Sequence, residues 1–433
     1  MNSVWLNGIE KPEFQSLDGD KKTDVLIIGG GICGLLCGFM LKQAGVDCLI
    51  AESNEICGSV TGDTTAKITF QNGLIYDKIL NSFGKDGAVA YFNAHKSALE
   101  EYKKLCANID CDFKESSATV FSLNSKEKIE KEFLAYEKLG ISAEVNEKLL
   151  LPIKIKSAVT VKKQGEFNPL KFAFHIAKEL NILEHTKIIE IKGNSAVTEN
   201  GKIFARKIIV ATHFPFINKY GGYFLKLYQH RSYVLALKNA QDVKGMYVDE
   251  NIKGLSFRNY KDLLLLGGGS HRTGKKGGNW DELEKFRQKH YPKSTVVTRW
   301  ATQDCMSLDG IPYIGLYSDS TPDLYVATGF NKWGMASSMV SAMILRDLIL
   351  EKENENAFIF SPQRSIFKPQ LAINVGESLL GILRPTAPRC PHLGCALNYN
   401  KAEHSWDCSC HGSRFSASGK LLNNPATSDK KDM

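Results

Sequence analysis

Near its N-terminus the chain reads Thr23-Asp-Val-Leu-Ile-Ile-Gly-Gly-Gly-Ile-Cys-Gly34. The apolar run from Val25 to Ile28 is typical of a strand that is buried on both faces. The glycines that follow have the spacing G-x-G-x-x-G, and the apolar periodicity of residues 32–44 then predicts a helix. Strand, glycine-rich turn and helix in this order predict the first unit of a dinucleotide-binding βαβ fold.

The three glycines of this turn, Gly29, Gly31 and Gly34, each have a physical role. They permit a tight turn, a close approach of a pyrophosphate and close helix–strand packing, and the helix N-terminus offers free N–H groups to phosphate. A second predicted strand, residues 46–51, ends at Glu52, whose carboxylate can accept both ribose hydroxyls. We therefore expect an ADP-containing dinucleotide here, and the alternative is a glycine-rich turn in an unrelated βαβ unit.

The bulk composition is that of a globular protein. The chain has 433 residues, 43% of them hydrophobic and 24% charged, which allows two or three domains with their own cores. The net charge of +8 is spread along the chain, so we predict no nucleic-acid partner. No apolar run approaches about 20 residues, so we predict no transmembrane segment. Residues 1–20 lack the basic and apolar regions of a signal peptide. Seven of the eleven cysteines are scattered, which favours buried free thiols and a cytoplasmic location.

The middle of the chain alternates between helical and strand-like patterns. Strand-like segments return near residue 187 after a long insertion, which indicates that the nucleotide-binding domain is discontinuous. Residues 220–300 have the pattern of a mainly antiparallel second domain. Within it, the segment Gly267–Arg272 is predicted to be either a tight turn or part of a site. A helix with small residues in its first turn is predicted for residues 333–350.

A second cluster of ligand-type residues lies near the C-terminus. It reads Cys390-Pro-His392-Leu-Gly-Cys395 and, after a spacer, Cys408-Ser-Cys410-His411-Gly-Ser413. Two thiolates and two neutral imidazoles are one set of ligands for zinc. The pattern contains six candidate ligands, however, which is two more than tetrahedral zinc needs. A Rieske [2Fe–2S] cluster, which is held by two cysteines on one iron and two histidines on the other, is the interpretation we favour.

These two motifs closely resemble those of Rieske proteins of the CTHLGC/CPCHGS type, over about 45 residues. The resemblance implies that Cys390 and Cys408 hold one iron, that His392 and His411 hold the other, and that Cys395 and Cys410 form a disulfide. Phe415 stands where many high-potential members have a tyrosine. The segment is too short to include the usual base domain, so we expect its cluster loops to pack against the flavin domain or a partner.

Later segments distinguish between NAD and FAD. The stretches Lys207-Ile-Ile-Val-Ala-Thr212, Asp309-Gly-Ile-Pro-Tyr-Ile-Gly315 and Leu324-Tyr-Val-Ala-Thr-Gly329 resemble fingerprints of the FAD-dependent D-amino-acid oxidase-like family. In that family the late helix directs its N-terminus at the flavin. The resemblance therefore implies FAD and the following cofactor-binding residues: Gly29, Gly31, Gly34, Glu52, Thr65, Ala66, Lys67, Thr212, Gly329, Trp333, Gly334 and Met335.

Together the two resemblances imply an FAD-dependent oxidoreductase that dehydrogenates a C–N bond in an amine or amino acid. Electrons would pass from the flavin to the Rieske cluster and on to a protein or quinone acceptor. Lys67, Tyr233 and His271 are the candidate catalytic residues, and Arg258 or Arg272 is a candidate for binding a substrate carboxylate. The alternative is a non-catalytic redox carrier or sensor that exchanges electrons with a protein partner.

The predicted fold class is α/β. We expect a discontinuous Rossmann-like FAD-binding domain, a mainly antiparallel α+β substrate domain and a small C-terminal Rieske segment. The predicted boundaries are an N-terminal extension at 1–22, the oxidoreductase at 23–350 with substrate-domain parts at about 68–165 and 220–300, a linker at 351–383 and the Rieske segment at 384–428.

Overall fold

The structure is a computed structural model that describes residues 3–385 and 387–431. Its helices, in chain order, are α1 (Ile32–Gln43), α2 (Val60–Asp63), α3 (Tyr76–Cys106), α4 (Lys126–Lys138), α5 (Pro169–Ala177), α6 (Tyr223–Lys226), α7 (Asn279–His290), α8 (Gly334–Ile349) and α9 (Pro369–Leu383). Its strands are β1 (Lys21–Ile28), β2 (Cys48–Ala51), β3 (Lys67–Ile68), β4 (Lys114–Ser122), β5 (Glu144–Asn146), β6 (Ser157–Glu166), β7 (Ile182–Leu183), β8 (Glu190–Lys192), β9 (Ser195–Val197), β10 (Lys202–Val210), β11 (Leu227–Lys238), β12 (Met246–Asp249), β13 (Ser256–Tyr260), β14 (Leu263–Arg272), β15 (Thr295–Ser307), β16 (Tyr313–Leu316), β17 (Leu324–Thr328), β18 (Leu397–Asn400), β19 (Ser405–Cys408), β20 (Arg414–Ser416) and β21 (Leu421–Asn423).

The first sheet contains the predicted βαβ unit. Its strand order is β16-β17-β10-β1-β2-β7, with β9 and β8 added beside β10. β1 lies in the centre and pairs in parallel with both β2 and β10, and its last four residues are buried. The α/β class and the parallel nucleotide-binding sheet are therefore confirmed. Two hydrophobic cores border this sheet, and one of them includes α1 and α8.

The second sheet forms the opposite wall of the molecule's main cavity. Its order is β15-β11-β14-β13-β12-β4-β6-β3, with β5 paired to β6. Every pair is antiparallel except β4 with β12, as the sequence pattern predicts for a mainly antiparallel domain. Of the two alternatives for Gly267–Arg272, the tight turn is wrong, because these residues continue β14 and pair with β11.

The C-terminal segment is a four-stranded antiparallel sheet in the order β18-β19-β20-β21. The stretch 351–383, which the sequence predicts to be a linker with at most a short helix, contains a 3-10 turn (Ala357–Phe360) and the fifteen-residue α9. Phe415 is fully buried in one hydrophobic cluster with the cysteines of both motifs. Among the described residues we find no helix with the length and apolarity that crossing a bilayer requires.

Candidate functional site

The glycine-rich turn between β1 and α1 leaves no room for side chains at two of its three glycines. Gly29 has a φ of 112°, and a Cβ there would lie 2.6 Å from the carbonyl oxygen of Ala211. A Cβ at Gly34 would lie 1.9 Å from the carbonyl oxygen of Gly29. At Gly31 the nearest atom is the hydroxyl oxygen of Thr61, at 3.3 Å. The first and third glycines are therefore required by packing, while the second faces the cavity.

Glu52 follows β2 and lies beside this turn. Its carboxylate accepts the backbone N–H of Gly30 at 2.7 Å and that of Asn54 at 2.9 Å. These two bonds hold the carboxylate at the carboxyl end of the central strands, where dinucleotides bind in open α/β sheets. The tight glycine turn, the start of α1 and the fixed acid together fit the ADP half of a dinucleotide.

A cavity of about 1380 Å³ opens from this turn between the two large sheets. The predicted cofactor-binding and catalytic residues that line it are Gly29, Gly31, Glu52, Thr65, Lys67, Thr212, Tyr233, Trp333, Gly334 and Met335. The predicted residues outside its lining are Gly34, Ala66, Gly329 and His271. The cavity thus brings together residues from both ends of the chain.

The loop before β3 is held by Arg258 from the second sheet. Its buried guanidinium donates to the carbonyl oxygens of Thr65 at 2.9 Å and Ala66 at 2.6 Å. Arg258 is therefore committed to the protein and does not serve as the predicted carboxylate clamp. Beside it, the Lys67 ammonium donates to the Thr65 hydroxyl at 2.9 Å. Burial, assisted by the charge of Arg258, lowers the pKa of Lys67 to about 7.

A hydrogen-bonded chain that the sequence did not reveal lies in the cavity wall just before α8. Ser232 donates to the Asp304 carboxylate at 3.3 Å, Ser270 donates to Ser232 at 3.1 Å, and Lys332 donates to Ser270 at 3.2 Å. All four residues line the cavity. Burial raises the pKa of Asp304 and lowers that of Lys332, while each charge opposes the shift of the other. The four residues come from β11, β14, β15 and the segment before α8, so no local motif in the sequence marks this chain.

The other two catalytic candidates lie at the junction with the C-terminal segment. Tyr233 donates its hydroxyl hydrogen to Glu403 at 2.9 Å. The His271 ring stacks on the Tyr233 ring with centroids 5.7 Å apart, and burial lowers the pKa of His271. Of these two, only Tyr233 reaches the cavity.

The four predicted cluster ligands come together at the end of this junction. The rings of His392 and His411 lie 4.9 Å apart, and burial lowers their pKa values to about 4 and about 3, so both imidazoles are neutral. Their Nδ1 atoms are buried and have no hydrogen-bond partner among residues 3–385 and 387–431. A hydrogen bond from Cys390, with backbone N–H groups of 410–412, lowers the pKa of Cys408 to about 7. Two orphaned imidazole nitrogens beside two buried thiols fit a metal cluster.

The geometry favours a two-iron cluster over the zinc alternative. Cys395 and Cys410 form a disulfide, which removes both from the set of thiolate ligands. Among the described residues, the donor atoms of Cys390, His392, Cys408 and His411 do not lie together in one metal-sized group. A tetrahedral zinc ion needs all its ligands around one point. Ligands divided between two irons need not meet this condition.

The cluster loops pack against strands β11, β14 and β15 of the second sheet, within the same chain. Gln229 donates to the carbonyl oxygen of His411 at 2.8 Å. Gln303 donates to that of Gly412 at 2.9 Å. Arg272 donates to the carbonyl oxygens of Ser409 at 2.9 Å and Cys410 at 3.0 Å. Arg272 therefore positions a cluster loop and is not free to bind a substrate carboxylate.

A buried ion network extends this contact. Glu403 accepts from Arg231 and, at 2.9 Å, from Arg414, which also pairs with Asp407 at 3.0 Å. Burial alone would raise the pKa of Glu403, but the two guanidinium groups lower it to about 2. Glu403 and Arg414 line the large cavity, so the C-terminal segment forms part of the cavity wall.

A short segment after β10 connects the cavity with the histidine pair. Thr212 lines the cavity, and its carbonyl oxygen accepts from Asn424 of the C-terminal segment at 2.6 Å. Two residues on, the Phe214 ring lies 6.4 Å from the His392 ring and 6.3 Å from the His411 ring. Between them His213 has a φ of 67°, a region that glycine favours. The histidine side of the cluster site therefore faces the segment that follows β10 of the first sheet.

Comparison with known proteins agrees with this division of the chain. The model of the FAD dependent oxidoreductase family matches residues 24–348, and that of the Rieske [2Fe-2S] domain matches residues 358–432. The chain is 32% identical to the putative Rieske 2Fe-2S iron-sulfur protein YhfW of Bacillus subtilis, over all of this chain and 97% of that protein.

Solved structures share the fold of the larger part. Glycine oxidase from Geobacillus kaustophilus superposes with a TM-score of 0.66 at 17% identity and covers 80% of this chain and 99% of its own. L-proline dehydrogenase from P. horikoshii superposes with a TM-score of 0.66 at 18% identity, with 80% and 98% covered. The chain belongs to the FAD dependent oxidoreductase family and carries a C-terminal Rieske [2Fe-2S] domain.

Proposed function

We propose that this protein oxidises a C–N bond of an amine or amino acid and passes the electrons through its own Rieske cluster to an acceptor. The observation that carries the proposal is the shared cavity. It runs from the glycine-rich turn and Glu52, which we call the FAD cradle, to a wall made by the Rieske domain. The names of the structural neighbours, a glycine oxidase and an L-proline dehydrogenase, support C–N chemistry. A fused one-electron centre supports a dehydrogenase that does not depend on dioxygen.

The cofactor-binding residues that we propose are those predicted from the sequence. Gly29, Gly31, Gly34 and Glu52 would hold the ADP half of FAD, and the start of α8 (Trp333 to Met335) would face its isoalloxazine. The first-turn N–H groups of a helix stabilise negative charge placed before them. For the cluster we propose Cys390 and Cys408 on one iron and His392 and His411 on the other, with Ser413 close to Cys390.

The chain Asp304–Ser232–Ser270–Lys332 supplies the groups that the substrate needs. Asp304 is a buried carboxyl that lines the cavity, so as a carboxylate it can hold the substrate's ammonium and accept its proton. Lys332 lies at the other end of the hydrogen-bonded chain, where its ammonium can balance the charge of Asp304 or bind a substrate carboxylate. Bound FAD would supply hydride acceptance and the release of single electrons. Loss of one ammonium proton and of a hydride from the adjacent carbon leaves an iminium ion, which water hydrolyses to a carbonyl compound and ammonium or an amine. Lys67, Tyr233 and His271 remain candidates for positioning.

The experiment is anaerobic reduction with a panel of amines and amino acids, followed by absorption and low-temperature EPR. We expect an active substrate to bleach the flavin band and to produce the EPR signal of a reduced Rieske cluster. Asp304→Asn should lose substrate reduction while dithionite still reduces both centres, and Asp262→Asn, an exposed acid on the same sheet, is the matched control. Reduction by NAD(P)H with no response to any amine would instead support the carrier alternative.

A further inference from the structure

The outer side of α9 exposes a concentration of large apolar side chains. Single exposed leucines are ordinary on protein surfaces, but contiguous apolar patches mark interaction sites. Leu383 is 75% exposed, Leu380 is 67% exposed, and Phe367 just before the helix is 87% exposed. The remaining large apolar residues of this face are Ile373, Val375, Leu379 and Ile382, each at least 38% exposed. We call these seven residues the α9 apolar face.

The inner side of the same helix is fixed to the Rieske domain and to β14. Asn374 is buried, accepts from Arg272 at 2.9 Å and donates to the carbonyl oxygen of Leu225 at 3.3 Å. A Cβ at Gly381 would lie 2.7 Å from the disulfide sulfur of Cys410. These contacts set the rotation of the helix about its axis, so the apolar face is directed away from the protein and lies behind a cluster loop.

The charged residues within α9 and at its two capping positions are either basic or paired. Glu377 is the single charged residue within α9, and it pairs with Lys275 at 2.5 Å. Lys368 occupies the N-cap position of the helix, and Arg384 occupies its C-cap position. An apolar helix surface with cations at its margins is the pattern of a helix that lies in the plane of an anionic bilayer surface. The chain's net charge of +8 acts in the same direction.

A second copy of the chain fits this face less well. In an isologous pair, an antiparallel arrangement of two α9 helices would place Lys368 against Arg384 of the other copy. A parallel arrangement would place each cation against its own equivalent. Either arrangement brings like charges together at both ends of the contact, which disfavours pairing.

We propose that the α9 apolar face docks this protein onto an anionic lipid surface, which keeps the cluster loop close to the bilayer, directly behind the helix. Fifteen helical residues extend only about 22 Å, less than the roughly 30 Å hydrocarbon core, so the helix lies on the membrane. Electrons leaving the cluster would then emerge where an apolar, lipid-dissolved acceptor is concentrated. The docking itself does not depend on the proposed substrate chemistry.

The test is co-sedimentation of the full-length holoprotein with phosphatidylcholine vesicles, with and without phosphatidylglycerol. We expect binding to the anionic vesicles, and at least a roughly tenfold weaker partition for Leu379→Ser/Leu380→Ser/Leu383→Ser. Lys368→Gln/Arg384→Gln should weaken binding to the anionic vesicles by about tenfold. Leu134→Ser, an exposed leucine on α4, is the matched control and should bind like the parent.

Absorption spectra of flavin and cluster establish that each variant retains its fold. The proposal is overturned if the parent does not bind vesicles, or if the triple serine variant binds as well as the parent. A concentration-dependent dimer in gel filtration that the triple variant loses would also overturn it and would assign the face to a second copy. Flavin reduction by amines is measured separately, so failure of the docking proposal and failure of the proposed function are distinguishable.

Discussion

The two cofactor sites of this protein are built in opposite ways. The FAD cradle consists mainly of backbone: a turn in which packing excludes side chains at Gly29 and Gly34, the start of α1, and one acid on the adjoining strand. The cluster site consists of side chains on two loops, and those loops are held by side chains from the second sheet, such as Gln229 and Gln303. The first site is local in sequence, whereas the second depends on contacts between residues 109 and 182 positions apart.

The largest expected effect tests whether the two sites assemble independently. Cys408→Ser should remove iron and labile sulfide together, because serine does not replace a thiolate ligand, while the FAD cradle of residues 23–52 keeps its structure. Metal analysis and flavin absorption measure both. Cys106→Ser, a buried free cysteine on α3, is the matched control and should retain the cluster. One zinc and no iron in the anaerobically purified parent would contradict the assignment.

The ion network at the junction gives the next largest effect. Glu403→Gln leaves the buried guanidinium of Arg231 without its counter-charge, which typically costs about 3–5 kcal/mol. We expect a lower denaturant midpoint for loss of the cluster signal. Glu147→Gln removes an exposed ion pair with Lys126 and should leave this midpoint unchanged. Equal stability of the two variants would mean that the network does not hold the Rieske domain in place.

At the FAD cradle, Glu52→Ala removes a charge-assisted hydrogen bond worth about 1.5–3 kcal/mol. FAD should therefore bind about 10- to 150-fold more weakly, which released-flavin fluorescence after gel filtration measures. Ser53→Ala removes only a hydroxyl that donates to the same carboxylate at 3.1 Å, so its effect should be smaller. Unchanged FAD retention in Glu52→Ala would contradict its assignment to the ribose.

The smallest effect concerns the cluster potential. The Phe415 ring is fully buried beside Cys390 and Cys408 and cannot donate a hydrogen bond to sulfur. A net hydrogen bond is worth about 0.5–1.5 kcal/mol. Since about 60 mV corresponds to 1.4 kcal/mol for one electron, Phe415→Tyr should raise the potential by about 20–65 mV. Voltammetry measures this, with the exposed Tyr399→Phe as a control expected to show no shift. A lowered or unchanged potential would place the ring away from the sulfurs.

The same contrast explains what could be predicted from the sequence. The turn of residues 29–34 and the two cysteine–histidine motifs could be identified from the sequence, because their functional residues lie within a few consecutive positions. Arg258 and Arg272 could not be assigned, because whether a guanidinium is free depends on which distant carbonyl groups it meets after folding. The link between Ser232 and Asp304 arises only when β11 pairs with β15.

Strand β14 shows a second limit of prediction from the sequence. Three consecutive glycines predict a turn, yet Gly267 and Gly268 pair across to β11, while a Cβ at Gly269 would lie 2.2 Å from the carbonyl oxygen of Asn279. Gly268 and Gly269 therefore permit close packing of the strand against helix α7, and the glycines do not end the strand. Such a role depends on the neighbouring element, which local sequence does not specify.

The central claim is that flavin and cluster form one electron path within a single chain. The most direct measurement is the rate of cluster reduction after the bound flavin is reduced anaerobically by a light flash. With Phe214 and the histidine pair packed together, we predict a first-order rate constant that is independent of protein concentration. A rate that rises in proportion to protein concentration would mean that the two centres exchange electrons only between molecules, and it would contradict the account.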